Sequence, residues 1–275
     1  MKKFADSLYL IAVTALISSC GGGGSSAPSS NITGRLVDAT VVGIDYKCGS
    51  STTVSGTTNA NGQYTCPSGQ AVAFYVGDIL VGSVSAPQAV VTPLDMIGAG
   101  ASPTNTTVTN IVRFLMSISS TDPATGIITI TSGVSALAAG QTVNFVTIAS
   151  GTLDTMITTL KPSATIYTNV QATNHVTSSI NGLFAGNYSG SYSGSATGTW
   201  SASINTNGVV TTGNYSGTGT SGTISGSMST TLSTGSTYGF TGTAGTSTWT
   251  GTMNVSTGKF SGTWIDGIYS GSFTN

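Results

Sequence analysis

Between Gly186 and Ile204 the chain alternates two kinds of side chain at every residue, and this rhythm leaves few folds open. Even positions carry Gly186, Tyr188, Gly190, Tyr192, Gly194, Ala196, Gly198, Trp200, Ala202 and Ile204, whereas odd positions carry only Asn, Ser or Thr. A period of two sends each set to its own face of an extended strand; a helix would scatter both. At the turn sequence Asn205-Thr206-Asn207-Gly208 the phase flips, which predicts that Val209, Thr211, Gly213, Tyr215 and Gly217 share the next buried face. Stretches of the same texture follow at Ile224–Met228, Tyr238–Ala244, Trp249–Val255, Phe260–Trp264 and Tyr269–Phe273. Tyr-Ser-Gly recurs at 188, 192, 215 and 269, and Gly-Thr-Trp at 198 and 262. Six to eight strands spaced by about 8 to 12 residues predict an antiparallel β meander or small barrel over residues 184–275.

Glycine sharing a face with Tyr or Trp suits a strongly curved sheet, where a missing side chain leaves room for a ring. The Ser/Thr face then meets water. A membrane-spanning barrel needs the reverse, an apolar outer band of about 25 Å, so that reading is disfavoured. Flat Thr arrays such as Thr218-Gly219-Thr220 and Thr241-Gly242-Thr243 also suit ice or a polar sugar surface, but no repeat of constant length supports this. Solvated hydroxyls are the simpler account. Few charges guard the sheet edges, a feature shared with self-associating β proteins.

Charge is scarce throughout. Only 5% of the 275 residues are charged, against about 25% in an ordinary soluble domain. The net charge of −1 offers no basic surface for phosphates, which excludes nucleic acid as a partner. The 38% hydrophobic content, arranged periodically, still predicts a folded chain.

The first residues read as an address. Lys2 and Lys3 precede the mostly apolar run Leu8–Ile17, then Ile17-Ser18-Ser19-Cys20. The apolar run is too short to span a bilayer and fits a secretory leader over residues 1–19. Its end resembles a bacterial lipoprotein lipobox, with Ser19 where Gly or Ala is commoner. The resemblance implies cleavage before Cys20, lipidation of Cys20, and attachment to a membrane by acyl chains. Gly21 in place of Asp leaves out the family's inner-membrane retention signal, so the cell outer membrane is the expected location. A plain secretory peptide with an incidental cysteine is the alternative. Residues 20–30, with Gly21-Gly22-Gly23-Gly24-Ser25-Ser26, form a flexible tether.

Setting Cys20 aside leaves Cys48 and Cys66. Export to an oxidising compartment favours a disulfide between them over a metal or redox pair, since one histidine and no further cysteine cannot complete a tetrahedral site. Residues 31–92 predict a small β domain: strands at Ile32–Asp38 and Val41–Tyr46, a hairpin turn at Asn61-Gly62, and an apolar hairpin from Ala71–Val76 through Gly77-Asp78 to Ile79–Gly82. Tyr46-x-Cys48, Asn61-Gly62-Gln63-Tyr64-x-Cys66 and Val72-x-Phe74-x-Val76-Gly77 resemble an N-terminal β module of secreted bacterial lipoproteins, of the carboxypeptidase-regulatory-like sandwich kind. That likeness implies a sandwich and brings no catalytic residue.

Residues 93–183 change texture. Helices are predicted over Thr106–Ile118, around Leu153–Leu160 and over Gln171–Phe184, with short strands at Ile127–Ile130 and Val143–Val146. Asn110 and Arg113 lie beside the first helix's apolar stripe, with Asp95 or Asp122 as the expected partner of Arg113. His175 is expected at the surface.

No catalytic constellation stands out. A Ser–His–Asp triad has only His175 to use, and Gly190–Gly194, though Gly-x-Ser-x-Gly-like in spirit, lies in a repeating strand rather than at a nucleophile elbow. The scattered Asp residues, with no Glu, do not offer a glycosidase pair. No catalytic, cofactor or metal residues are assigned. The expected protein is mainly β, with a helical middle, a disulfide-linked β-sandwich-like module and a C-terminal meander or barrel. The expected role is that of a non-catalytic lipid-anchored envelope protein in structure, binding or adhesion, with an envelope protein or polysaccharide as partner. The alternatives are a carrier holding a small ligand in the barrel, whose core filling by Tyr188, Trp200, Trp249 and Trp264 would count against it, and a hydrolase of envelope polymers using His175 and an Asp.

Overall fold

The computed structural model describes residues 30–275, so the leader, Cys20 and the tether before Ser30 lie outside the described residues. The N-terminal module contains strands β1 (Asn31–Leu36), β2 (Thr40–Val42), β3 (Asp45–Cys48), β4 (Gly56–Thr57), β5 (Gln63–Pro67), β6 (Val72–Val76), β7 (Ile79–Val84) and β8 (Val90–Val91). They make two facing layers, β5-β1-β8 and β4-β3-β6-β7. Inward positions alternate along them, as in the buried Val72, Phe74 and Val76 of β6. Tyr64 meets Tyr46 and Phe74 edge to face, with ring centroids 5.9 and 5.3 Å apart, and fills the gap between layers.

Cys48 closes β3 in one layer, Cys66 sits in β5 of the other, and a disulfide joins them. The expected sandwich and its bridge are present. Asn59–Gly62 does turn, with the Asn59 side chain accepting from the amides of Asn61 and Gln63, and Gly62 at φ +69°. It does not, however, close a hairpin: β4 and β5 belong to different layers. Thr58 is buried just before the turn, its hydroxyl donating to the Val41 carbonyl, so the chain has left its sheet before it reverses.

Four helices follow: α1 (Thr106–Ile118), α2 (Ser132–Leu137), α3 (Ser150–Leu160) and α4 (Asn169–Phe184). Asn105 caps α1 and the Thr168/Gln171 capping box starts α4. Strand β9 (Ile127–Thr129) pairs in parallel with β2 and ties the helical segment to the module. Val143–Val146 is not a strand. Phe145 is buried against the Phe114 ring, and the Asn110 side chain donates to its carbonyl at 3.0 Å, taking the acceptor a strand neighbour would need.

Arg113 is buried, and its guanidinium donates to the Tyr167 carbonyl (2.7 Å), Ser150 Oγ (2.8 Å) and the Asp154 carboxylate. It thereby clamps α1 to α3 and to the segment before α4. The expected partners are engaged elsewhere: Asp122 caps a short turn through Ala124 N, and Asp95 binds Thr92 and Ser236.

Residues 186–274 form eight strands: β10 (Gly186–Gly194), β11 (Gly198–Ile204), β12 (Val210–Gly217), β13 (Thr220–Thr234), β14 (Thr237–Ala244), β15 (Ser247–Asn254), β16 (Lys259–Asp266) and β17 (Tyr269–Thr274). They run up and down in sequence order, and β17 pairs with β10 to close the barrel, with Tyr192 opposite Phe273. Rings and glycines line the inside and hydroxyls the outside, the inverse of a barrel bathed in lipid. The expected phase flip holds for Gly213, Tyr215 and Gly217 but not for Val209 and Thr211. A register shift opposite Ser203 and Ile204 inserts an extra residue, so Val210 turns inward and Val209 and Thr211 face solvent.

Phe273 shows why glycine is needed inside. Gly251 and Gly262 are register partners, and a Cβ on either would stand 2.8 or 2.6 Å from the tip of the Phe273 ring. Gly262→Val is predicted to destabilise the protein by roughly 1–3 kcal/mol through overpacking, while Thr263→Val, on the outer face, changes stability by less than about 0.5 kcal/mol; urea unfolding of the two variants checks this. Breaking the disulfide with Cys66→Ser should lower stability by about 3 kcal/mol relative to the oxidised wild type, the worth of closing a loop of this length, and the reduced wild type should fall by a similar amount in the same urea titration.

Candidate functional site

The two ends of the barrel differ. The turns after β11, β13 and β15 face the helices and the N-terminal module. Gly208 packs beside Asn181 and Phe184 of α4, and the Phe184 ring meets Tyr238 at 5.2 Å. Ser236, buried at φ +56°, is held from three sides: its amide donates to Asp95 Oδ1 (3.0 Å), and its hydroxyl reaches the Val90 carbonyl and the Gln88 side chain. Asp95 Oδ2 accepts from the amide and hydroxyl of Thr92, both at 2.8 Å. A carboxylate bonded to three amide or hydroxyl donors in this way fixes the seam. Tyr238 and Tyr64 lie on either side of it, and burial pushes both phenols up, Tyr64 to about 12.

Among the described residues, no other element packs on the opposite end. The hairpin turns β10–β11, β12–β13, β14–β15 and β16–β17 ring an open cup of about 270 Å³. Its floor is Tyr192, Trp249 and Trp264, its walls Tyr215 and Tyr269, and its rim Ser195, Thr220, Ser247 and Asp266. Tyr192 stands at 75°, 69° and 87° to Tyr215, Trp249 and Trp264, so the rings form an angled enclosure and not one flat platform. The Trp264 indole N–H is bound to the Ser193 carbonyl at 3.2 Å, which fixes that ring. The Tyr192 hydroxyl is buried without a partner, against the backbone at Gly198 and Gly217. Asp266 Oδ2 accepts from the Thr246 hydroxyl at 3.0 Å.

Below the cup the barrel is full. Tyr188, Trp200, Phe240, Trp249, Phe260 and Phe273 leave a residual cavity of about 20 Å³, space for a single water at most. The lumen therefore has no room for a ligand, and a small molecule bound by the barrel has to sit at its mouth.

His175 is not at the surface. It lies on the inner side of α4 with 13% of its side chain exposed, and its Nε2 is 3.5 Å from Oδ1 of Asp38, which is wholly buried. The separation exceeds a good hydrogen bond, and neither Asp38 oxygen has a hydrogen-bond donor. Burial pushes the Asp38 carboxyl up to about 6, with the neighbouring His175 acting in the opposite direction. The neighbouring Ser179 hydroxyl accepts from the Ala39 amide at 3.0 Å. Imidazole and carboxylate thus converge, but neither lines the cup, the lumen or the open groove on α3.

Among the described residues no cluster of three or more His, Cys, Asp or Glu is placed to hold a metal ion, and no helix is long and apolar enough to cross a membrane. In the sequence the cup's aromatic residues share the phase of the core, and neither Asp266 nor Asp38 belongs to a recognisable motif. An isolated Asp in a nearly charge-free barrel was the available signal for the first; the second had none, because the helix that covers it is 140 residues away. Comparison with protein-family models, curated proteins and solved structures finds no match to this chain.

A carboxyl whose native pKa of about 6 exceeds its ordinary 3.8 binds more protons folded than unfolded between those values. Its contribution is therefore most favourable below pH 3.8 and is lost as the pH climbs through 6, a cost on the order of 3 kcal/mol at pH 7. Asp38→Asn should be more stable than wild type at pH 7, with the gap narrowing towards pH 4. Urea unfolding at both pH values checks the sign; a gap independent of pH would exclude a buried, proton-bearing Asp38.

Proposed function

We propose that this is a non-catalytic envelope protein, anchored by lipid at Cys20, that presents a small-ligand binding cup at the free mouth of its barrel. The observation that carries the binding role is the cup itself. Ring-lined walls with a few polar groups at the rim are the usual make-up of a small-molecule site, and about 270 Å³ suits a ligand below drug size. Its direction supports the same reading: the chain enters through β1 in the N-terminal module, while the mouth opens at the barrel end that does not touch the module. The lipobox-like Ile17-Ser18-Ser19-Cys20 and the glycine run that follows support a tethered body at the outer membrane. A filled lumen argues against the carrier reading in its original form and moves binding to the mouth.

The hydrolase reading now has an Asp38–His175 contact behind it. It lacks an aligned nucleophile and an opening, since the Ser179 hydroxyl is occupied by backbone and Asp38 is sealed. His175→Ala should leave any envelope phenotype of the protein unchanged.

Metabolic labelling with palmitate tests the anchor. Wild type should take up label and fractionate with outer membrane, and Cys20→Ala should do neither; an unlabelled, freely secreted wild type would sink the proposal of a lipid anchor.

A further inference from the structure

The barrel carries two charged side chains in all, Lys259 and Asp266. They stand at opposite ends of β16, Lys259 by the turn that faces the helical body and Asp266 at the mouth. The other described basic residues, Arg35, Lys47, Arg113 and Lys161, precede the barrel in β1, β3, α1 and the end of α3. The cup is thus negative, with its one charge on the rim and, among the described residues, no cation within ion-pairing distance of it. Below that carboxylate the cup is lined by five aromatic residues, with the Tyr192 ring set steeply against Tyr215, Trp249 and Trp264.

We propose that the cup takes a small alkylammonium group. This rests on the reading of the mouth as a binding site and gives it a chemical class. Ring faces attract a cation through their quadrupole, most strongly where water is excluded, and Asp266 supplies a counter-charge at the entrance. A sugar is the competing class. Sugars stack on one exposed flat ring and need several polar groups beneath it, whereas this floor consists of Tyr192, Trp249 and Trp264, each largely buried and set at angles, with the polar groups confined to the rim. An anion is disfavoured by Asp266, and a larger apolar ligand by the size of the cup and the filled barrel below. Tyr269, 57% exposed, is the wall that a bound ammonium would cover.

The test is titration of the full-length protein, purified in detergent, with choline, with its uncharged isostere 3,3-dimethylbutan-1-ol and with glucose. Tryptophan fluorescence reports on it, since all three tryptophans lie in the barrel and two line the cup. Choline should saturate and bind at least about 10-fold more tightly than the isostere, and Asp266→Asn and Tyr269→Ala should each weaken it by roughly 5-fold. Both positions are solvent-accessible, so circular dichroism should show the fold intact. If the isostere or glucose binds as well as choline, and Tyr269→Ala abolishes that binding, the ammonium class is overturned while the cup stands as a binding site. If no probe binds, or binding ignores both substitutions, the ammonium class and the cup fall together.

Discussion

Where Phe273 lies over Gly251 and Gly262, two strands give up their side chains so that one ring can fill the space between them. The same exchange recurs around the barrel: Trp200 faces Gly190 across one pair of strands, Trp249 faces Gly242 across another, and Trp264 faces Gly271 across a third. Eight strands enclose just enough room for side chains, and nine-residue β10 leaves three of its five inward positions, Gly186, Gly190 and Gly194, without bulk. The recurring Tyr-Ser-Gly and Gly-Thr-Trp words are this steric rule written along the chain. A ring, a hydroxyl and a gap occupy consecutive positions, pointing in, out and in.

Filling the lumen has a consequence for function, because it pushes any binding to the rim. It also makes the barrel a rigid pedestal whose lower end can be gripped by the rest of the protein. The grip is polar at its centre, through Asp95, Thr92 and Ser236, and apolar beside it, through Phe184 and Tyr238. Arg113 performs a similar service within the body, where one guanidinium replaces the packing that the loops around Tyr167 and Ser150 do not provide. Arg113, Asp154 and Asp95 fix one segment against another, whereas Asp266, at the mouth, has only the Thr246 hydroxyl among the described residues.

How much of this was readable in advance depended on the distance in sequence between interacting parts. The barrel strands announced themselves because Tyr188, Trp200 and their glycine neighbours obey a two-residue period, and α1 appeared at Thr106–Ile118 from its apolar spacing. The two-layer module was expected from the family likeness carried by Tyr46-x-Cys48 and Asn61-Gly62-Gln63-Tyr64-x-Cys66, and its apolar hairpin, expected over Ala71–Gly82, runs from Val72 to Val84. Failures began where a local pattern met a distant partner. The Asn59–Gly62 turn looks like a hairpin until Thr58 is seen anchored under β2. Val143–Val146 has strand composition, yet Asn110 from α1 takes its carbonyl. His175 looked polar and exposed because nothing near it in sequence shows that Asp38 lies against it. The bulge that turns Val210 inward is a one-residue slip, below the resolving power of an alternation rule. The cup was hidden for another reason: its aromatic residues share their phase with the core, and only the way the hairpins end separates floor from filling.

The outer wall of the barrel is wetted by neutral hydroxyls, with its two formal charges at its ends. Screening shortens the reach of charges from about 10 Å at 0.1 M salt to about 3 Å at 1 M, and a wall without charges has little to lose across that range. Its hydration, and its indifference to charged neighbours, should therefore stay nearly the same from dilute water to brine.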